Sequence, residues 1–136
     1  MTSSPAPVDS KTAANSAKRI LIVDDDAEII ESLRYALGGK GYAISIARDG
    51  NQGLAMAERD APDMVILDMM MPKRSGFLVL ERLRRTMPKT MKIIMITANE
   101  GSRHKAYAEM LEVDDYIRKP FAMDRLLGSV DKLFST

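Results

Sequence analysis

Two kinds of segment alternate along this chain. Five short apolar runs come first to notice. Ile20-Leu21-Ile22-Val23, Met64-Val65-Ile66-Leu67 and Ile93-Ile94-Met95-Ile96 are continuous and rich in β-branched residues, as strands covered on both faces are. Tyr116-Ile117 is a shorter run of the same kind. Tyr42-Ala43-Ile44-Ser45-Ile46-Ala47 alternates large and small residues, which predicts an edge strand with one less-covered face. Between the runs the apolar spacing lengthens to three and four, the period of a helix with one buried stripe. Ile29, Ile30, Leu33 and Leu37 form the first stripe, with Gly38 and Gly39 where a C-cap is expected. Leu54, Ala57 and Ala61 mark a second helix closed by Pro62, and Phe77, Leu80, Leu83 and Met87 a third that stops before Pro88. Ala108 and Leu111 indicate a weaker fourth. Leu126, Leu127, Val130, Leu133 and Phe134 make the fifth.

Strand and helix thus alternate five times. Connections of this length between buried strands predict a parallel sheet with right-handed crossovers and helices on both faces, a doubly wound α/β domain. Residues 1–17 do not share the pattern. They are rich in Ser, Thr, Ala and Pro, with Val8 as the one branched aliphatic residue. Such a segment buries too little surface to offset its ordering entropy, and a disordered polar tail is expected there, with one domain over 18–136.

Composition narrows the chemistry. The chain of 136 residues contains no cysteine, which removes disulfides, thiolate metal sites and cysteine nucleophiles. With 20 basic and 19 acidic residues there is no broad basic field, so direct nucleic-acid binding is not expected. No apolar run approaches the ~20 residues that cross a bilayer, and the start lacks the apolar middle of a secretory signal. Membrane insertion is not expected, and a cytoplasmic location is.

In a sheet of this type, ligands bind beyond the carboxyl ends of the strands. The first strand ends in Asp24-Asp25-Asp26, the third in Asp68, the fourth in Thr97 and the fifth in Lys119-Pro120. Each has a plainer reading alone: an acidic helix cap, strand filler, a surface charge, a turn former. Together they place carboxylates, a hydroxyl and an ammonium at one edge. Clustered carboxylates repel, and a hard cation such as Mg²⁺ relieves that repulsion using few carboxylates plus water and phosphate oxygens. A carboxylate is also a nucleophile able to form an acyl phosphate. Phosphoryl transfer then needs mainly positioning and charge neutralisation.

The ordered motifs Ile20-Leu21-Ile22-Val23-Asp24-Asp25-Asp26, Asp68-Met69-Met70-Met71-Pro72 with Gly76, Ile96-Thr97-Ala98 and Asp114-Asp115-Tyr116-Ile117-Arg118-Lys119-Pro120-Phe121 resemble those of bacterial response-regulator receiver domains, from about Lys18 to Phe134. The resemblance implies a flavodoxin-like (βα)5 fold with strand order 2-1-3-4-5. It implies Asp68 as phosphoacceptor, and Asp24, Asp25, Asp68 and the Met70 backbone carbonyl around Mg²⁺ (or Mn²⁺). Lys119 would pair with the phosphoryl group, Thr97 would hydrogen-bond to it, and the peptide before Pro120 would be cis. Thr97 and Tyr116 would form the switch, the Tyr116 ring turning inward and altering the face of the fourth helix, fifth strand and fifth helix. The implied partners are a sensor histidine kinase or histidine phosphotransfer protein as donor, and a downstream protein on the Tyr116 face.

With no sequence after Thr136, the expectation is a stand-alone receiver in two-component signalling or a phosphorelay, with a fragment of a longer regulator as the alternative. It would not be an enzyme beyond self-catalysed phosphoacceptance and slow autodephosphorylation. Two rivals are a haloacid-dehalogenase-like phosphatase with Asp24 as nucleophile, which leaves the Asp68 motif unexplained, and a receiver-like scaffold that is never phosphorylated. Glu112-Val113 departs from the Gly-Ala usual in the family, which puts the end of the fourth helix in question. His104 is expected on a solvated helix face, Met64 and Met95 in the core, and Arg82, Arg84 and Arg85 on the exposed side of the third helix.

Overall fold

The computed structural model describes residues 18–71, 74–98 and 102–135. The expected tail and Pro72 of the acidic motif lie outside them. Elements alternate as β1 (Arg19–Val23), α1 (Ala27–Gly38), β2 (Ala43–Ala47), α2 (Gly50–Asp60), β3 (Met64–Asp68), α3 (Gly76–Thr86), β4 (Lys92–Thr97), α4 (Ser102–Met110), β5 (Asp115–Arg118) and α5 (Met123–Phe134). All strands run parallel in the order β2-β1-β3-β4-β5, so the alternating run at 43–47 is an edge strand as expected.

The pleat divides the apolar residues between two layers. Leu21, Val23, Val65, Leu67, Ile93 and Met95 pack against α2, α3 and α4 through Leu54, Ala57, Val79, Leu80, Leu83 and Ala108. Ile20, Ile22, Met64, Ile66, Ile94, Ile96 and Ile117 pack against α1 and α5 through Ile30, Leu33, Leu37, Leu126 and Val130. Strands β1, β3 and β4 are therefore covered on both faces, which is why their sequences read as unbroken apolar runs. Met64 and Met95 are wholly buried in these layers.

Local chemistry sets the helix starts. Asp26 caps α1 through Glu28 N (2.9 Å), Asp49 caps α2 through Gln52 N (2.8 Å), and Ser75 caps α3 through Leu78 N (3.4 Å). Three expectations change in detail. The left-handed residue after α1 is Gly41 (φ 94°), while Gly39 stays helical. Helix α2 closes on left-handed Ala61 (φ 47°), one residue before Pro62. The turn after α4 puts Glu112 itself in the left-handed region (φ 64°), so α4 ends at Met110 without glycine.

Two side chains expected on solvated faces are not there. Arg84 is only 11% exposed in its side chain. Its guanidinium donates to the carbonyls of Met91 (2.7 Å) and Glu112 (3.0 Å) and to Asp114 Oδ2 (2.7 Å). Arg84 thereby holds the Glu112 turn from α3, which accounts for a non-glycine residue there. His104 is half-buried, stacked on the Phe77 ring of α3 at 5.7 Å between centroids. Phe77 also takes the edge of Tyr107 at 5.2 Å.

Candidate functional site

Strand pairing brings four chain segments level at the carboxyl edge of the sheet. Asp24 follows β1 and its N–H donates to Ala47 O at 3.1 Å, Met69 follows β3 and donates to Ile96 O at 2.9 Å, and Lys119 follows β5 and donates to Thr97 O at 2.6 Å. Each backbone bond extends a ladder by one residue, so Asp24, Asp68, Thr97 and Lys119 stand beside one another on ordered backbone. The Lys119–Pro120 peptide is cis, as the resemblance implied.

Carboxylate oxygens of Asp24, Asp25 and Asp68 lie within 4.8 Å of one another. Asp24 is fully buried, Asp68 is 3% exposed, and Asp25 faces solvent. Among the described residues one ammonium answers this charge: Lys119 Nζ lies 3.2 Å from Asp24 Oδ2 and 3.6 Å from Asp68 Oδ1. Asp24 Oδ1 accepts from Asp26 N at 2.9 Å, whereas buried Oδ2 has no aligned hydrogen bond despite the nearby lysine. Asp68 Oδ1 accepts a long bond from Met70 N (3.4 Å). Burial, reinforced by Asp24, pushes the Asp68 carboxyl up to about 7 against the opposing pull of Lys119.

Three carboxylates facing one ammonium, one of them with an orphaned buried oxygen, fit a hard divalent cation that prefers oxygen ligands. Among the described residues this is the one place where three acidic or histidine ligand atoms cluster in this way. Asp26 takes no part, being occupied as the α1 cap. The Met70 side chain is 63% exposed beside the cluster. Gly76 opens α3 against the acceptor strand, where a Cβ would stand 2.3 Å from Asp68 O, so any larger residue would push the helix off that edge.

Thr97 is fully buried next to Asp68 in the sheet, its hydroxyl donating to Met69 Sδ at 3.6 Å. Tyr116 packs inward on the layer that includes Met69. Its phenol lies 3.9 Å from the same sulfur and is hydrogen-bonded to Thr97. The sequence reading quoted Met69 only as part of a motif. The signal for its burial was present, since Val65, Leu67 and Met69 share one strand face at period two.

The model of the response regulator receiver domain family matches residues 20–131. The response regulator MprA of Mycobacterium leprae is 40% identical over 115 residues, which are 85% of this chain and 50% of that protein. MprA of Mycolicibacterium vanbaalenii is 39% identical over the same length. The chain spans about half the length of the curated relatives it matches. Among solved structures, a CheY-like receiver domain protein from Methanospirillum hungatei superposes with TM-score 0.81 at 34% identity, covering 87% of this chain and 94% of that one. Chemotaxis protein CheY4 of Vibrio cholerae gives TM-score 0.78 at 27% identity, covering 85% of this chain and 98% of that one. The fold, the acidic edge of the sheet and these matches together show that the chain belongs to the response-regulator receiver domain family, the phosphorylation-controlled modules of two-component signalling.

Proposed function

We propose that Asp68 accepts a phosphoryl group from the phosphohistidine of a sensor histidine kinase or a histidine phosphotransfer protein. The observation that carries this reading is the convergence on Asp68 of two further carboxylates within 4.8 Å and of Lys119 Nζ at 3.6 Å. In the transfer, an Asp68 carboxylate oxygen bonds to phosphorus while the phosphorus–nitrogen bond to the donor imidazole breaks. The donor nitrogen leaves with the electron pair of that bond.

Mg²⁺ (or Mn²⁺) would be held by Asp24, Asp25 and Asp68, with the Met70 carbonyl as a further ligand. When bound, the ion supplies positive charge against the phosphoryl oxygens and relieves the repulsion among the carboxylates. Lys119 leaves its bridging place between Asp24 and Asp68 to pair with a phosphoryl oxygen. The Thr97 hydroxyl donates to another. That turn biases the packing around Tyr116 and with it the face made by α4, β5 and α5, a population shift between two arrangements. This face controls a downstream protein, or Asp68 passes the phosphoryl group onward. The chain acts on itself, by accepting and slowly losing the phosphoryl group, and turns over no separate substrate.

Intact-protein mass spectrometry after incubation with Mg²⁺ and acetyl phosphate tests this. Wild type should gain one phosphoryl group that hydroxylamine removes, and Asp68→Asn should gain none. An adduct that persists in Asp68→Asn, or phosphate release that depends on Asp24 instead, would overturn the assignment.

A further inference from the structure

The hydroxyl that the phosphoryl group would call upon is already engaged, and by an unusual acceptor. Met69 is 1% exposed and pinned on both sides by backbone bonds: its N–H donates to Ile96 O and its carbonyl accepts from Gly76 N, both at 2.9 Å. The side chain therefore starts from a place set by the β3–β4 ladder and by the first residue of α3. From there Met69 Sδ reaches Thr97 Oγ1 at 3.6 Å and Tyr116 OH at 3.9 Å. Thr97 is fully buried, and it is also hydrogen-bonded to the Tyr116 phenol.

A thioether accepts hydrogen bonds weakly and donates none, and its unbranched chain adapts readily when a neighbour moves. A polar group buried with one acceptor fewer is destabilised. The strength of the acceptor at position 69 therefore contributes to how costly it is for the Thr97 hydroxyl to leave the core.

We propose that Met69 is a positioning residue whose sulfur holds the Thr97 hydroxyl in the arrangement described above, tuning how readily Thr97 turns to the phosphoryl group. The proposal rests on Asp68 as acceptor. An aliphatic residue at 69 weakens this hold. In a chain whose residue 97 carries no hydroxyl, this hold is gone, and the identity of residue 69 ceases to affect the turn of residue 97.

The experiment uses the whole chain, labelled with ¹³C at the methionine methyls, with Mg²⁺ and fluoroberyllate as a phosphoryl mimic. The Met69 methyl signal is assigned by its disappearance in whichever of Met69→Leu and Met69→Ile keeps the wild-type fold, both being changes of similar volume. Fluoroberyllate should move that signal. The same variant should bind fluoroberyllate more tightly by about two- to fourfold, the scale of one weak hydrogen bond. Placed in a Thr97→Val background, it should bind as Thr97→Val alone does. A gain that persists in the Thr97→Val background is packing, and it overturns the proposal. So does an unmoved Met69 methyl in a wild-type protein that binds the mimic, or a variant that binds no more tightly than wild type. Wild type that neither binds fluoroberyllate nor gains a phosphoryl group would overturn the assignment of Asp68, and the role of Met69 with it.

Discussion

Charged side chains gather at both ends of this sheet, and the two gatherings are built to opposite rules. At the amino end, Arg84 donates to Asp114, Met91 O and Glu112 O, while Asp114 also accepts from Ile93 N at 2.7 Å. Arg19 likewise donates to the carbonyls of Asp60 and Ala61 at the end of α2, and its N–H donates to Asp63 at 2.7 Å. Arg19, Asp63, Arg84 and Asp114 there each have a fixed partner on a neighbouring segment. At the carboxyl end, Asp24 and Asp68 share Lys119 with Asp25 close by, one buried oxygen has no aligned bond, and burial pushes the Asp68 carboxyl up to about 7. Paired charge stabilises connections between elements. Charge left in excess on rigid backbone marks a candidate functional site.

Changes at the two ends should therefore separate cleanly. The largest effect is expected for Lys119→Gln, which removes the ammonium that Asp24 and Asp68 share. Phosphoacceptance from acetyl phosphate should slow about 100-fold, measured by the rate of adduct formation with Mg²⁺ present. A rate within threefold of wild type would mean that Lys119 serves only to offset the carboxylates.

Arg84→Ala probes the other end. It removes the counter-ion of Asp114 and the donor to two backbone carbonyls, and should cost about 2 kcal/mol, or roughly 6–10 °C in melting temperature. Phosphoacceptance well below the melting point should stay at the wild-type rate, and a marked fall there would break the distinction between the ends.

A smaller effect follows from the Asp68 carboxyl, raised from 3.8 to about 7. Between those values the folded chain keeps a proton that the unfolded chain has released. This group's contribution is thus most favourable at acid pH and is lost as pH rises through about 7. In metal-free buffer at pH 8, Asp68→Asn should melt a few degrees above wild type, by about 1 kcal/mol, and the gap should narrow toward pH 5. Equal melting curves at pH 8 would show that Lys119 already balances the cluster.

The smallest change sharpens the account of the amino end. Glu112 carries a φ of 64°, and its ion pair with Lys89 at 3.8 Å is largely exposed and contributes little. Glu112→Gly should stabilise by about 0.5–1 kcal/mol, because glycine adopts this backbone region without strain. A loss of stability on urea unfolding would mean that the Glu112 side chain contributes more than the turn costs.

Much of this molecule is decided by local pattern. The runs at 20–23, 64–67 and 93–96 had to be central strands, since only a sheet covered on both faces can hide an unbroken apolar run. The carboxyl-edge placement of Asp24, Asp68, Thr97 and Lys119 follows from where those runs stop, because each residue sits one step past its strand or on its last position. Tertiary structure alone decided the pairings across elements. Nothing in a basic cluster at 82, 84 and 85 distinguishes the one arginine that turns inward, as its carbonyl partners lie 7 and 28 residues away. The Glu112 turn reads as a defect until Arg84 is seen to hold it. The contact of Met69 with Thr97 and Tyr116 joins three separate strand ends, and a side chain's direction into a neighbouring strand is set by register and pleat rather than by its own sequence neighbours. Periodicity is a property of the chain, and so the fold and the acidic edge of the sheet were legible. Partnership is a property of packed space, and which charges are spent on structure and which are left for function appears only there.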